Sequence, residues 1–294
     1  MTKRRSTSRG PGRILGILGH PVAHSASPAM HNAAFAAQGM HAMYGAFDVP
    51  PSQLEKAIAG IRALGLLGVN VTIPHKETVM AYLDDVAPTA RQVGAVNTIV
   101  NRGGRLIGYN TDGWGFLLSL EERGVRVVGR NAVVLGAGGA ARAVALHLGM
   151  AGVARLTIIN RSRQRAEFLA ADLARAKTPV RAEVADPGSE EARAALAEAG
   201  LVVNCTPLGM EPDTESTPLE DVGLLPAHCV VYDTVYRPLE TRLLREARQH
   251  GLITVNGLAM LVHQGACAWE YWFGRRGPVD VMRTAALAAL EGQP

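Results

Sequence analysis

Residues 133–142 constrain the fold more than any other segment of the chain. They read Val-Val-Leu-Gly-Ala-Gly-Gly-Ala-Ala-Arg, an apolar β-branched run followed at once by a G-x-G-x-x-A pattern. In a strand–turn–helix unit, Gly136 permits a tight turn, Gly138 lets backbone approach a pyrophosphate, and Ala141 permits close packing of helix on strand. A glycine-rich turn without a ligand is the alternative, but this context favours a dinucleotide site at the helix N-terminus.

The rest of the chain alternates strand-like and helix-like segments, which is typical of an α/β fold. The first half predicts strands over 14–18, 43–49, 66–73, 96–100 and 105–109 and helices over 28–38, 52–64 and 112–123. The second half predicts strands over 132–135, 156–159, 201–204 and 230–233 and helices over 140–150, 163–175, 258–273 and 278–290. Ser52, with Glu55 three residues later, predicts a capping box for the second helix.

The residues after the strand at 156–159 indicate which dinucleotide would bind. An NAD site usually has Asp or Glu there to bind the ribose hydroxyls. This chain instead has Asn160 within a run that contains Arg155, Arg161, Arg163 and Arg165. Guanidinium groups bind a 2′-phosphate through charge-assisted hydrogen bonds, whereas a carboxylate would repel it. A merely solvated helix start is the alternative, and the position after the glycine fingerprint favours NADP.

Charge and cysteine usage exclude several classes of protein. The net charge is +4, and much of the basic excess lies in the first residues, at Lys3, Arg4, Arg5, Arg9 and Arg13. A basic tail can bind nucleic acid or an anionic surface, but a solvated, disordered terminus is favoured, and no recognition-helix pattern is present. No segment resembles a signal peptide or a membrane span. The three cysteines have no CxxC or zinc-ligand spacing, so a reducing cytoplasm is expected.

Residues 68–76 place a lysine just beyond a predicted strand. Their sequence, Gly-Val-Asn-Val-Thr-Ile-Pro-His-Lys, alternates apolar and polar side chains before the proline. Pro74 cannot donate to a sheet ladder, so the strand should end there. Lys76 would then reach into a crevice and could transfer a proton to or from a substrate hydroxyl. Taken alone, the segment favours a surface lysine at a helix start, and the remaining motifs change that interpretation.

Other polar residues of the N-terminal half also follow predicted strands. They are Ser25, Ser27, Thr72, Asn97 and Asp112. Ser27 and Asp112 have an alternative interpretation as helix N-caps. Ligands of α/β sheets bind in the crevice outside the carboxyl ends of the strands, which gives the clustering a functional reason. Hydroxyl, amide, ammonium and carboxylate groups without aromatic walls suit a small, polyhydroxylated anion.

Together these segments resemble the shikimate dehydrogenase family. The similarity extends over residues 14–290 through the ordered motifs GHPVAHSASPAMHN, NVTIPHK, GAVNT, GYNTDG, GAGGAAR, NRS, NCTPLGM, YDTVY and NGLAMLVHQGA. The resemblance implies the reduction of 3-dehydroshikimate to shikimate with NADPH, in the pathway to aromatic amino acids.

The resemblance also implies a role for individual residues. The catalytic pair would be Lys76 and Asp112. The substrate would be bound by Ser25, Ser27, Thr72, Asn97, Tyr236 and Gln264. The cofactor NADP(H) would be bound by Gly136, Ala137, Gly138, Gly139, Ala140, Asn160, Arg161, Ser162, Arg165, Thr234 and Gly257, and no metal is expected. Family members often have a bulky apolar residue where this chain has Thr234.

A length of 294 residues with 48% apolar content suits two domains. We predict a disordered basic tail over 1–12, a substrate-binding catalytic domain over 13–112, an NADP-binding Rossmann domain over 113–256, and C-terminal helices over 257–294 that return to the first domain. The active site would lie in the cleft between the domains. We expect a monomer or homodimer whose partner is a small-molecule substrate, without nucleic acid or membrane.

Rival interpretations differ in substrate or in class. A quinate or dual quinate/shikimate dehydrogenase would need more room near Ser25 and Ser27, because quinate has a tertiary hydroxyl and a saturated ring. A methylene-tetrahydrofolate dehydrogenase would need an aromatic-lined cleft, which is not found. A non-catalytic NADP(H)-binding regulator is disfavoured by the intact Lys76 and Asp112.

Overall fold

Two six-stranded sheets form the framework of the chain in the computed structural model, which describes residues 12–176 and 178–292. Residues 1–11 of the predicted basic tail, and the disorder predicted for them, lie outside the described residues. Among the described residues, no helix is both long and apolar enough to cross a membrane.

The first sheet is built from the N-terminal residues. Its strands are β1 (Arg13–Gly19), β2 (Ala42–Asp48), β3 (Gly68–Val71), β4 (Asp85–Val86), β5 (Thr98–Arg102) and β6 (Arg105–Tyr109), with helices α1 (Ser27–Ala37), α2 (Leu54–Ala63) and α3 (Pro88–Val93) between them. The strand order is β2-β1-β3-β5-β6-β4. β1 runs parallel to β2 and β3, whereas β5 runs antiparallel to β3 and β6.

The helix α4 (Asp112–Glu122) leads into the second sheet. Its strands are β7 (Asn131–Leu135), β8 (Arg155–Ile159), β9 (Ala182–Ala185), β10 (Leu201–Asn204), β11 (Val230–Asp233) and β12 (Ile253–Val255). All pairings are parallel, in the order β12-β11-β10-β7-β8-β9. The helices are α5 (Gly139–Met150), α6 (Arg163–Arg175), α7 (Glu190–Ala197) and α8 (Arg242–Gln249). This is the predicted Rossmann-type sheet, and its order reverses at β7, where ligands bind in such folds.

The last two helices, α9 (Leu258–Phe273) and α10 (Val279–Glu291), pack on the first sheet, as predicted. The Trp269 indole donates to His31 Nδ1 on α1 at 2.9 Å. The Trp272 indole donates to the Ile99 carbonyl on β5 at 3.0 Å. These bonds satisfy both indole N–H groups where the rings are buried, so α9 has a fixed position against α1 and β5.

Two local predictions are wrong. Pro51 begins a 3₁₀ turn that includes Ser52, and α2 begins only at Leu54, without a side-chain cap. The Ser52 hydroxyl therefore comes too early to form the predicted capping box. The strand predicted over 66–73 is shorter and covers only Gly68–Val71 (β3). A turn closed by the bond from His75 N to Thr72 O (2.9 Å) follows it.

Candidate active site

The glycine turn after β7 lies directly against the loop after β3. A Cβ atom added to Gly139 would stand 3.3 Å from Lys76 Cβ and 3.6 Å from Ala95 Cβ. This spacing is tighter than most contacts of a real side chain, so a glycine at this position lets the two sheets approach. The predicted catalytic lysine and the predicted dinucleotide turn are thereby brought together.

Lys76 and Asp112 form a partly buried ion pair. Lys76 Nζ donates to Asp112 Oδ2 at 2.6 Å, and the side chains are 17% and 6% exposed. Val96 N donates to the Lys76 carbonyl at 2.7 Å, which ties the lysine backbone to the segment before β5. Asp112 is the first residue of α4, where the helix dipole favours a carboxylate.

Asn97 and Gln264 lie beside this pair. Asn97 Nδ2 donates to Asp112 Oδ1 at 2.7 Å and to Gln264 Oε1 at 3.3 Å. Gln264 is on α9, so a helix 167 residues further along the chain completes the site. Gly115 permits this approach, because a Cβ there would lie 2.8 Å from the Gln264 backbone nitrogen. Sequence reasoning missed Gly115, since no local pattern reports a helix that packs from so far away.

The two predicted substrate-binding serines lie next to each other after β1. Ser27 N donates to Ser25 Oγ at 3.2 Å. Ser27 is buried as the first residue of α1, whose N-cap is Ala26, and no side chain caps that helix. Asp112 likewise lies inside α4, whose N-cap is Thr111. The alternative interpretation of Ser27 and Asp112 as helix caps is therefore wrong.

Tyr236 and Thr72 lie at the same end of the first sheet. Burial raises the pKa of Tyr236, whose hydroxyl shares a hydrogen bond with Ser25. Thr72 is half-buried beyond the end of β3, and its methyl group lies 2.4 Å from where a Cβ on Gly19 would be. The six predicted substrate-binding residues thus lie in the segments at the ends of β1, β3 and β5, on α9, or in the loop after β11.

The backbone around the glycine fingerprint fits a dinucleotide. Gly136 has φ +110°, a conformation that disfavours any side chain, and a Cβ there would also lie 3.2 Å from Thr206. Gly138 is the N-cap of α5 and has nothing within 4 Å of its Cβ position. The space beside Gly138, at the N-terminus of the 12-residue helix α5, is therefore open, as the approach of a pyrophosphate requires.

Gly257 and Thr234, two further predicted cofactor-binding residues, lie in close backbone contact. A Cβ there would lie 2.1 Å from the Thr234 carbonyl oxygen, so only glycine fits. The loop after β11 and the start of α9 are thus held backbone to backbone.

The arginines after β8 differ in their partners. Arg163 pairs with Asp186 (2.9 Å) and Glu167 (3.0 Å), whereas Arg165 Nη2 lies 3.5 Å from Glu77 Oε1 of the first sheet's loop. In the described part of the chain Arg161 has no ion pair, and its side chain is exposed. Ser162 caps α6 through a bond from Arg165 N. Arg161, and Arg165 with its one long contact to Glu77, are therefore the least engaged guanidinium groups beyond β8.

A buried carboxylate that the sequence did not indicate supports the loops on the cofactor side. Asp233, at the end of β11, accepts from Asn204 Nδ2 (2.9 Å), Val235 N (3.0 Å) and Thr241 Oγ1 (2.7 Å). Burial outweighs these hydrogen bonds and raises the pKa of Asp233 to about 6. Asn204 Oδ1 in turn accepts from Thr206 N at 2.9 Å, which shapes the turn after β10.

The raised pKa of Asp233 predicts a dependence of stability on pH. The folded state binds the proton more tightly than the unfolded chain, so this contribution is fully present below about pH 4 and is lost as pH rises through 6. The loss is about 3 kcal/mol. In denaturant titrations at pH 4 to 7, the wild-type free energy of unfolding should fall relative to that of Asp233→Asn. Parallel curves for the two proteins would contradict the assignment.

Comparison with known protein families gives a consistent result along the chain. Three family models match: shikimate dehydrogenase substrate binding domain over residues 17–99, shikimate / quinate 5-dehydrogenase over 120–207, and shikimate 5′-dehydrogenase C-terminal domain over 257–287. A curated protein of Symbiobacterium thermophilum named shikimate dehydrogenase (NADP(+)) is 99% identical over 100% of both chains.

Solved structures show the same similarity. Shikimate 5-dehydrogenase from Thermus thermophilus, in complex with NADP(H) and shikimate, is 42% identical, with a TM-score of 0.85 over 95% of this chain and 100% of that one. Quinate dehydrogenase from Corynebacterium glutamicum, in complex with NAD, is 34% identical, with a TM-score of 0.86 over 94% and 99%.

Proposed function

The chain belongs to the shikimate dehydrogenase family, and from that membership we propose that it catalyses the reversible reduction of 3-dehydroshikimate to shikimate with NADPH. The observation that carries the proposal is the Lys76–Asp112 pair (2.6 Å), placed against the Gly139 turn of the dinucleotide fingerprint. Reduction of a carbonyl group needs a hydride at its carbon and a proton at its oxygen, so the hydride site and the proton-transfer group must lie on either side of one substrate carbonyl, as these two features do.

We assign substrate binding to the residues at the strand ends of the first sheet and on α9. Ser25 and Ser27 supply two neighbouring hydroxyl groups for the substrate carboxylate. Asn97, Gln264 and the carboxylate of Asp112 supply donors and acceptors for the ring hydroxyls. A ring held at both ends presents its C3 carbonyl to Lys76.

The reduction needs a hydride and a proton. Bound NADPH supplies the hydride. Lys76 Nζ donates a proton to the alkoxide oxygen that develops at C3, and accepts it back in the reverse direction. Asp112 orients the ammonium through the 2.6 Å bond and binds a substrate hydroxyl with its remaining acceptor capacity. The pair acts where water is largely excluded, because both side chains are mostly buried.

The residues after β8 support NADP over NAD. No carboxylate follows β8 until Glu167, and exposed Arg161 and Arg165 stand where a 2′-phosphate would bind.

The three cysteines are unpaired, which supports the reducing cytoplasm as the location. We retain the prediction of a monomer or homodimer.

The serines give a specific prediction for substrate binding. Ser25→Ala and Ser27→Ala should each raise the KM for shikimate by about 10-fold, the order expected when one hydrogen bond to a carboxylate is lost. The KM for NADP should not change, because the glycine turn lies on the other sheet. A lower melting temperature with an unchanged KM would assign Ser27 a structural role only.

One assay tests the proposed function directly. Purified protein is offered shikimate or quinate, each with NADP or NAD, and reduction of the nicotinamide is followed by absorbance. We expect shikimate with NADP to give the highest kcat/KM. Preferential oxidation of quinate with NAD would replace the proposal by the quinate alternative, and no turnover with any pair would favour the non-catalytic regulator.

A further inference from the structure

A row of buried polar side chains crosses the first sheet beneath the candidate active site. Tyr44, Asn70 and Thr98 lie on β2, β3 and β5 and are at most 4% exposed. Tyr44 pairs in register with Leu15 of β1, and Asn70 pairs with both Ile17 of β1 and Thr98. Leu15 and Ile17 are two residues apart, so the three polar side chains share one face of the sheet.

The row is linked by hydrogen bonds that end at the catalytic pair. Tyr44 Oη donates to Asn70 Oδ1 at 2.6 Å, and Asn70 Nδ2 donates to Thr98 Oγ1 at 3.1 Å. Thr98 Oγ1 donates to Asn97 Oδ1 at 3.0 Å, and Asn97 Nδ2 donates to Asp112 Oδ1 at 2.7 Å. An unbroken series of donors therefore runs from Tyr44 to the carboxylate that holds Lys76.

Two backbone groups fix the direction of every bond in this row. The Asn97 carbonyl can only accept, and it receives Asn70 Nδ2 at 3.0 Å. The Thr111 N–H can only donate, and it is 2.8 Å from Asn97 Oδ1. Both amide groups are thus held in one orientation, which leaves the Asn97 NH₂ group facing Asp112.

We propose that Tyr44, Asn70 and Thr98 are positioning residues for the reaction, which act by holding the Asn97 amide and, through it, the Asp112 carboxylate. This inference rests on the proposed function. A rotated Asn97 amide would present its oxygen to Asp112, so like partial charges would meet and the carboxylate would turn away from Lys76. The row makes that rotation costly, because a rotated Asn97 amide would leave buried polar atoms of the row without a hydrogen-bond partner.

The surroundings of Tyr44 keep the start of the row fixed. Burial raises the pKa of Tyr44 well above its usual value, so the hydroxyl retains its proton. The His31 ring stacks on the Tyr44 ring, with centroids 4.3 Å apart. His31 also accepts from Trp269 of α9, the helix that carries Gln264, so the row and the last substrate-binding side chain share one support.

The first test compares two substitutions of Thr98. Thr98→Val keeps the shape and removes the donor to Asn97, whereas Thr98→Ser keeps the hydroxyl. We expect kcat for shikimate oxidation to fall about 10-fold in Thr98→Val and to stay within about 2-fold of wild type in Thr98→Ser. The KM for NADP should be unchanged in both, because the hydrogen bonds of the Thr98 hydroxyl go to Asn70, Asn97 and Thr111 and not to the glycine turn.

The second test uses two tyrosines buried in different sheets. Tyr44→Phe removes the first donor of the row. Tyr232→Phe is the matched control, because the Tyr232 hydroxyl is equally buried and lies 2.7 Å from Ser119 Oγ. Both variants should lower the melting temperature, but only Tyr44→Phe should lower kcat, by about 3- to 10-fold.

The possible outcomes separate the inference from the proposed function. Normal kcat in Thr98→Val and Tyr44→Phe, with lower melting temperatures alone, would overturn the inference and leave the function intact. Equal losses of kcat in Tyr44→Phe and Tyr232→Phe would also overturn it, and this pair decides the matter if Thr98→Val does not fold. A wild-type protein that does not oxidise shikimate would overturn the function and the inference together.

Discussion

Replacing Lys76 by methionine is expected to lower kcat for shikimate oxidation by about 10²- to 10⁴-fold, the usual contribution of a positioned acid–base group. Methionine keeps a long, mostly apolar side chain and removes the proton and the charge. The KM values for shikimate and NADP should change much less, because the serines after β1 and the glycine turn are untouched. Steady-state kinetics with both substrates varied gives the three constants.

Lys56→Met is the matched control for this substitution. Lys56 is an exposed lysine on α2, which packs on the same sheet but carries none of the site residues. Its replacement should leave kcat within about 2-fold of wild type, since surface substitutions of this kind have small effects. A Lys76→Met enzyme with near-normal kcat would contradict the proton-transfer role and leave Lys76 only a structural partner of Asp112.

Neutralising Arg161 and Arg165 together is expected to weaken NADP binding by about 10²- to 10⁴-fold, with little change for NAD. Each charge-assisted hydrogen bond to the 2′-phosphate contributes about 1.5–3 kcal/mol, which is one to two decades of affinity per arginine. The pair between Arg165 and Glu77 (3.5 Å) is exposed on both sides, so its loss should cost little stability. Titration of the Arg161→Gln/Arg165→Gln double variant with NADP and with NAD measures both affinities.

Arg163→Gln is the control for this experiment. Arg163 lies between Arg161 and Arg165 in the sequence, but its guanidinium is bound by Asp186 and Glu167. NADP affinity should therefore be nearly unchanged in Arg163→Gln. Equal losses of NADP and NAD affinity in the Arg161/Arg165 variant would mean that these arginines support the fold rather than the phosphate.

The sequence allowed the four central strands of the second sheet, β7, β8, β10 and β11, to be predicted because their signals are local. The glycine fingerprint, the strand before it and the helix after it lie within one short segment, and parallel strands buried on both faces are recognisable as β-branched runs. Short elements with no such signal, namely β4, β9, β12, α3, α7 and α8, were not predicted. The capping box at Ser52 failed because Pro51 starts a 3₁₀ turn one step earlier.

The site was predictable only where motifs report it. Lys76, Asp112 and Asn97 each belong to a motif, and the structure places Asp112 in contact with both of the others. Tyr44 and Asn70 belong to the same network, but their contact depends on the register of strands 26 residues apart, which a local pattern does not contain. Asp233 was missed for the same reason, because its two side-chain partners come from the end of β10 and from the N-cap of α8.

The central claim is that Lys76 and Asp112 act as one unit. The most direct measurement is a double-mutant cycle on kcat, with wild type, Lys76→Met, Asp112→Asn and the double variant assayed under identical conditions. Residues that act together give non-additive effects. We expect Asp112→Asn to lower kcat on its own and the double variant to be about as slow as Lys76→Met. Effects that multiply in the double variant would contradict the claim, because they would show that the two side chains contribute independently.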